Sequence, residues 1–219
     1  MMFTDFDKKS QSKFKNAFLI FTVSQFFMLV GLLDFGTSIK ALSEWLIIFT
    51  ILQFVGFILI IASSIKIYGF NKNYFYFFIT SIICLFVSIL SSVGAESTED
   101  FTIAWSRGLA VSSDILLCIV YAYFFLGSKE YFIEHNVSGN IKRSKIGFIV
   151  VIVLTIIINL LVFIGSFSGI RTNYVAAAIF KYSALLMKFI MHTFMVIVLI
   201  LMMNEMKKEK GVEKAHEEE

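Results

Sequence analysis

The sequence contains no proline, only two cysteines and three histidines, and few charges inside its long apolar stretches. Without proline the chain lacks the usual device for kinking or breaking a helix, so its apolar runs are expected to be regular. Glycine can still supply bends, so transport is not excluded on this ground. Cys84 and Cys118 lie inside apolar runs with no CxxC partner or neighbouring histidine. They read as buried packing residues, and no metal or cofactor is implied. No GxSxG, HExxH, phosphate-binding glycine loop or paired-carboxylate helix motif occurs, so the enzyme reading is uncertain and leans towards no, with no catalytic residue assigned. Nor is there a basic, aromatic-interleaved soluble surface that would suit nucleic acid.

Apolar residues dominate what is present. Hydrophobic residues make up 58% of the 219, phenylalanine alone occurs 26 times, and the mean hydropathy is +0.83. This is the composition of a membrane protein. Six apolar runs follow one another, at about 17–33, 46–65, 74–93, 109–126, 146–167 and 178–203. Each is close to the ~20 residues that cross ~30 Å of hydrocarbon, and at that length only a helix satisfies its own backbone in lipid. The first run is longer than a signal-peptide core and no small-residue cleavage site follows it, so it is read as a retained span. The expected fold class is all-α: a polytopic membrane protein with six transmembrane helices in one bundle. Residues 1–15 form a polar N-terminal segment, 16–204 the transmembrane domain and 205–219 a charged tail.

Charge distribution sets the expected orientation. Fourteen of the nineteen basic residues lie in the two termini and the second–third and fourth–fifth connections, whereas the other three connections carry only Lys40, Arg107 and Arg171. The positive-inside rule therefore puts both termini in the cytoplasm, as an even number of spans requires. The expected location is the inner (cytoplasmic) membrane. Trp45 and Trp105 then fall at the outer ends of spans two and four, where amphipathic rings favour the interface. The outer loop at residues 94–107 carries Glu96, Glu99 and Asp100, read as a solvated surface. The fourth–fifth connection, at 127–147, reads as the longest loop. Its Asn136-Val137-Ser138 sequon faces the cytoplasm in this topology. The two three-span halves have opposite topology, as in an inverted repeat, but they share no clear sequence similarity.

Ionisable groups within spans cost at least ~2.5 kcal/mol each to insert and normally face the bundle interior with a partner. Asp114 is the one acid deep in a span, about seven residues or roughly 10 Å from the outer end of span four. Gln53 is equally deep in span two. Span six carries Lys181, Lys188 and His192 within roughly 40° on one helical face. With the apolar core of span six beginning near Ser183, the preferred frame, Lys181 sits at the outer interface, Lys188 level with Asp114 and His192 near mid-depth; with the core beginning at Tyr174, Lys181 is the residue level with Asp114. A carboxylate–ammonium pair between spans four and six follows. Its bland reading is helix register alone. Gln25 and Asn159 lie near mid-depth in spans one and five, as interhelical glue or path-lining groups.

The candidate ligand-binding set is Lys188, Asp114, Lys181, His192, Gln53 and Asn159. Two lysines and a histidine against one aspartate leave cationic charge uncompensated. The leading expectation is a small transporter or solute-binding protein with a cationic intramembrane pocket for a small anionic or polar solute. A non-catalytic membrane subunit or immunity-type protein, acting through helix contacts with a membrane-protein partner or a second copy, is the alternative. A membrane enzyme on lipid-linked substrates is the weaker third. The lipid bilayer is a partner in every case.

Overall fold

The computed structural model describes residues 5–32, 46–94, 100–165 and 173–217. It is all-helical over these residues, with α1 Asp5–Gly31, α2 Leu46–Ile67, α3 Lys72–Gly94, α4 Asp100–Glu134, α5 Ser138–Gly165 and α6 Tyr174–Glu217. All six contain a stretch long and apolar enough to cross a membrane. Large apolar side chains stand exposed around the bundle, among them Phe26 at 57%, Phe86 at 63% and Phe163 at 62%. Such an exterior suits hydrocarbon better than water.

Several helices outrun the apolar runs that predict them. The polar segment before the first run is helical from Asp5, and α6 continues through the charged tail to Glu217. The expected long fourth–fifth loop is helix instead, interrupted only at residues 135–137. Hydropathy marks where a helix leaves lipid, and good helix formers such as Lys129, Glu130 and Lys142 carry the same backbone pattern onward. The interruption is a Schellman turn. Asn136 takes a left-handed conformation (φ 58°), Val137 N–H donates to the Phe132 carbonyl at 2.9 Å, and Asn136 N–H to that of Ile133 at 3.2 Å. Asn71 caps α3 by accepting from Tyr74 N–H at 2.9 Å, and its own amide donates to the Gly127 carbonyl of α4 at 2.9 Å.

The helices form a closed ring in chain order. Each packs on its sequence neighbours, and α6 returns to pack on α1. The end that holds the start of α1 and the end of α6 is here the terminal end, and the opposite one the loop end. Close crossings need small residues. A Cβ on Gly147 of α5 would lie 2.4 Å from the Phe125 ring of α4, and one on Gly56 of α2 would lie 2.9 Å from Met28 of α1.

Within the ring, the half nearer the terminal end is filled by aromatic side chains. Phe14 of α1 stacks on Tyr131 of α4 with centroids 3.6 Å apart, and Phe21 on Phe124 at 3.9 Å. Helices α1 and α4 face each other across the ring and meet through these long side chains. Phe77 and Tyr74 of α3 close the same layer, the latter anchored by a 2.9 Å hydrogen bond between its hydroxyl and Ser128. The inner stripe of α6 is methionine-rich, with Met191, Met195, Met202 and Met206 all buried. Unbranched thioethers fit irregular surroundings and tolerate repacking.

Exposed lysines Lys13, Lys66, Lys72, Lys142 and Lys145 stand at the terminal end. The side chains of Lys40, Arg107, Arg171, Trp45, Trp105, Glu96, Glu99 and Asp100 lie outside the described set, and with them the expectations placed on the loop end.

Candidate functional site

Nearer the loop end the ring is not filled. A cavity of about 270 Å³ lies there, lined by residues from all six helices. Leu32 and Ser91, among its lining residues, sit at the loop-end limits of α1 and α3, so the cavity reaches that end of the bundle. Its volume is near the lower end of the roughly 300–1,000 Å³ typical of small-molecule pockets. Most of the wall is apolar, including Met28, Phe54, Phe57, Leu85, Leu117, Ile158 and Met191.

Polar groups enter this wall from four directions. Lys188 of α6 places Nζ 2.8 Å from Oδ1 and 2.7 Å from Oδ2 of Asp114 on α4. The two helices do not pack directly. The pair reaches across the inner face of α5, where Thr155 and Ile158 also line the cavity. Both side chains keep about a quarter of their surface exposed, 25% for Asp114 and 28% for Lys188. One ammonium bridging two carboxylate oxygens still has a third donor, and the carboxylate has further lone pairs. Next to Asp114, the Ser113 hydroxyl lies 2.6 Å from that of Ser88 on α3, and the Cys84 thiol donates to the Ser113 carbonyl at 3.7 Å. Gln53 of α2 is half-buried and lines the same cavity.

His192 forms part of the cavity floor and is buried to 2%. Its Nδ1 is 2.9 Å from Oε1 of Gln25 on α1. The Gln25 amide nitrogen donates to the Ser24 hydroxyl at 3.3 Å, which orients its oxygen towards the histidine. In the neutral ring Nδ1 therefore carries the proton and Nε2 is left as an acceptor. Tyr121 stands edge-on to the imidazole at 6.0 Å, and below it begins the aromatic layer.

Of the six residues singled out from sequence, the structure brings Lys188, Asp114, His192 and Gln53 around one cavity. It leaves the other two off its wall. Lys181 is exposed, nearly two turns beyond Lys188. Asn159 turns back onto its own helix, donating to the Thr155 carbonyl at 2.9 Å. The charge balance changes accordingly. Among the lining residues one ammonium faces one carboxylate, so the excess of cations counted along span six is not gathered at the cavity. Gln25, read from sequence as interhelical glue or a path-lining group, makes an interhelical hydrogen bond, and its partner is His192. Thr155 and Ser113 carried no distinguishing signal, because serine and threonine are common in spans as helix-packing residues.

No family model, curated protein or solved structure matches this chain. A largely apolar chamber with an ion pair and a few further polar groups in its wall can hold a small solute and orient it by a few polar contacts. Among the described residues no cluster of three metal-ligating side chains occurs.

Proposed function

We propose that the protein is a small multi-pass membrane protein that binds a small polar or charged solute in the cavity beside Asp114 and Lys188, as a solute-binding protein or transporter. The observation that carries this reading is an accessible ion pair in the wall of a largely apolar cavity. A pair kept only for helix register is best placed between closely packed helices, whereas this one joins two helices whose backbones do not pack on each other and borders open space. The bias of lysine and arginine supports an orientation with both termini cytoplasmic and the cavity facing outward, in the inner membrane. The aromatic layer then closes the cytoplasmic half. In a transport cycle the Phe14–Tyr131 and Phe21–Phe124 stacks would separate, and the methionine stripe of α6 is the surface best suited to repacking.

The test is thermal unfolding of the purified full chain in micelles against small carboxylates, amino acids and neutral polyols. At least one of these classes should raise the melting temperature of the wild type, and the increase should disappear in a folded Asp114→Asn, Lys188→Met double variant. Stabilisation by none of them, or equal stabilisation of the double variant, would overturn the reading.

A further inference from the structure

We infer that the solute is a zwitterion, one that carries an ammonium and a carboxylate on a small apolar skeleton. This rests on the solute-binding reading above and narrows it. Asp114 and Lys188 together contribute no net charge to the cavity wall. A simple anion entering beside them makes two negative charges against one positive; a simple cation makes the reverse. Either leaves a net charge in a low-dielectric chamber, where desolvation is costly. A zwitterion keeps the sum at zero. Its carboxylate meets the free donor of Lys188, its ammonium meets the remaining lone pairs of Asp114, and four charges of alternating sign result.

The rest of the chamber fits the same class. His192 is held by Gln25 in the same wall, and in its neutral form the ring adds no charge to the chamber, so the zero sum is kept. The Phe54, Phe57, Leu117 and Met191 side chains offer apolar surface for a hydrocarbon side group. The small volume restricts that group to a few carbons.

Three solutes with one skeleton separate the possibilities: leucine, 4-methylpentanoate, which lacks the amine, and 3-methylbutylamine, which lacks the carboxylate. Each is titrated calorimetrically into the full chain in micelles. Leucine should bind at least tenfold more tightly than either singly charged analogue. Lys188→Met should abolish the advantage of leucine over the amine, and Asp114→Asn its advantage over the carboxylate. If an analogue binds as tightly as leucine and the variants weaken it, the zwitterion inference fails while the solute pocket stands. If none of the three binds, the zwitterion inference fails, and the wider thermal panel decides the pocket separately. Because a single variant could misfold, the charge-exchanged Asp114→Lys, Lys188→Asp double variant is included. It should retain the preference for leucine, and loss of that preference in folded protein counts against the inference.

Discussion

Removing one member of the Asp114–Lys188 pair should cost more than removing both. With Nζ 2.7 and 2.8 Å from the two carboxylate oxygens, this is a close, hydrogen-bonded pair. Breaking a fully buried pair by deleting one partner costs ~3–5 kcal/mol, because the other charge is left uncompensated. Exposed pairs are worth ~0–1 kcal/mol. The two side chains here are 25% and 28% exposed, nearer the buried limit but softened by access to the cavity. Lys188→Met or Asp114→Asn alone is therefore expected to destabilise by about 1–3 kcal/mol. The double variant leaves no orphan charge and should lose less than the sum of the singles, with a coupling of at least ~1 kcal/mol. Reversible unfolding in mixed micelles, followed by circular dichroism, measures all four corners of the cycle. Additive single and double losses, to within ~0.5 kcal/mol, would show that the two charges are not coupled.

Other outcomes follow from particular contacts. Gly147→Ala drives a Cβ into the Phe125 ring, 2.4 Å away, and should destabilise by about 1–3 kcal/mol as overpacking does; Phe125→Leu in the same chain should recover part of that loss in thermal unfolding. Gln25→Leu orphans Nδ1–H of His192, 2.9 Å from the lost oxygen, and a loss of about 0.6–1.7 kcal/mol is expected from the same unfolding assay. At Asn136, held at φ 58°, glycine should be neutral or better and valine should cost about 1–2 kcal/mol, read as a difference in melting temperature.

Much of the scaffold was legible in the sequence because lipid demands length and uniform hydropathy, and both are written residue by residue. The six runs locate the six helices, although not their polar extensions, since propensity and not hydropathy sustains α4 to Glu134 and α6 to Glu217. The Asp114–Lys188 contact was legible too, through depth matching of two charges that each needed a partner. The ring order was not. Nothing in the runs says that α6 closes on α1, nor that Phe14 and Phe21 reach across to Tyr131 and Phe124. Without that order, helical phase alone grouped Lys181 with Lys188. The two lie on similar faces, yet Lys181 is nearly two turns nearer the loop end and off the cavity wall. The tie between Gln25 and His192 was hidden for the same reason: each had several possible neighbours until the ring selected one.

The cavity by Asp114 and Lys188 should admit small solutes from the loop end and be closed towards the terminal end by the aromatic layer. Cysteine accessibility distinguishes the open half from the closed one. In a background with Cys84 and Cys118 replaced by alanine, single cysteines are placed at Gln53 and Ser113 on the cavity wall and at Phe21 and Phe124 in the aromatic layer. A charged, membrane-impermeant thiol reagent is then added from outside intact cells. Gln53→Cys and Ser113→Cys should be modified, more slowly with a solute bound, and Phe21→Cys and Phe124→Cys should not react. Equal reactivity at all four positions, or protection of the two wall positions from the reagent, would contradict this arrangement.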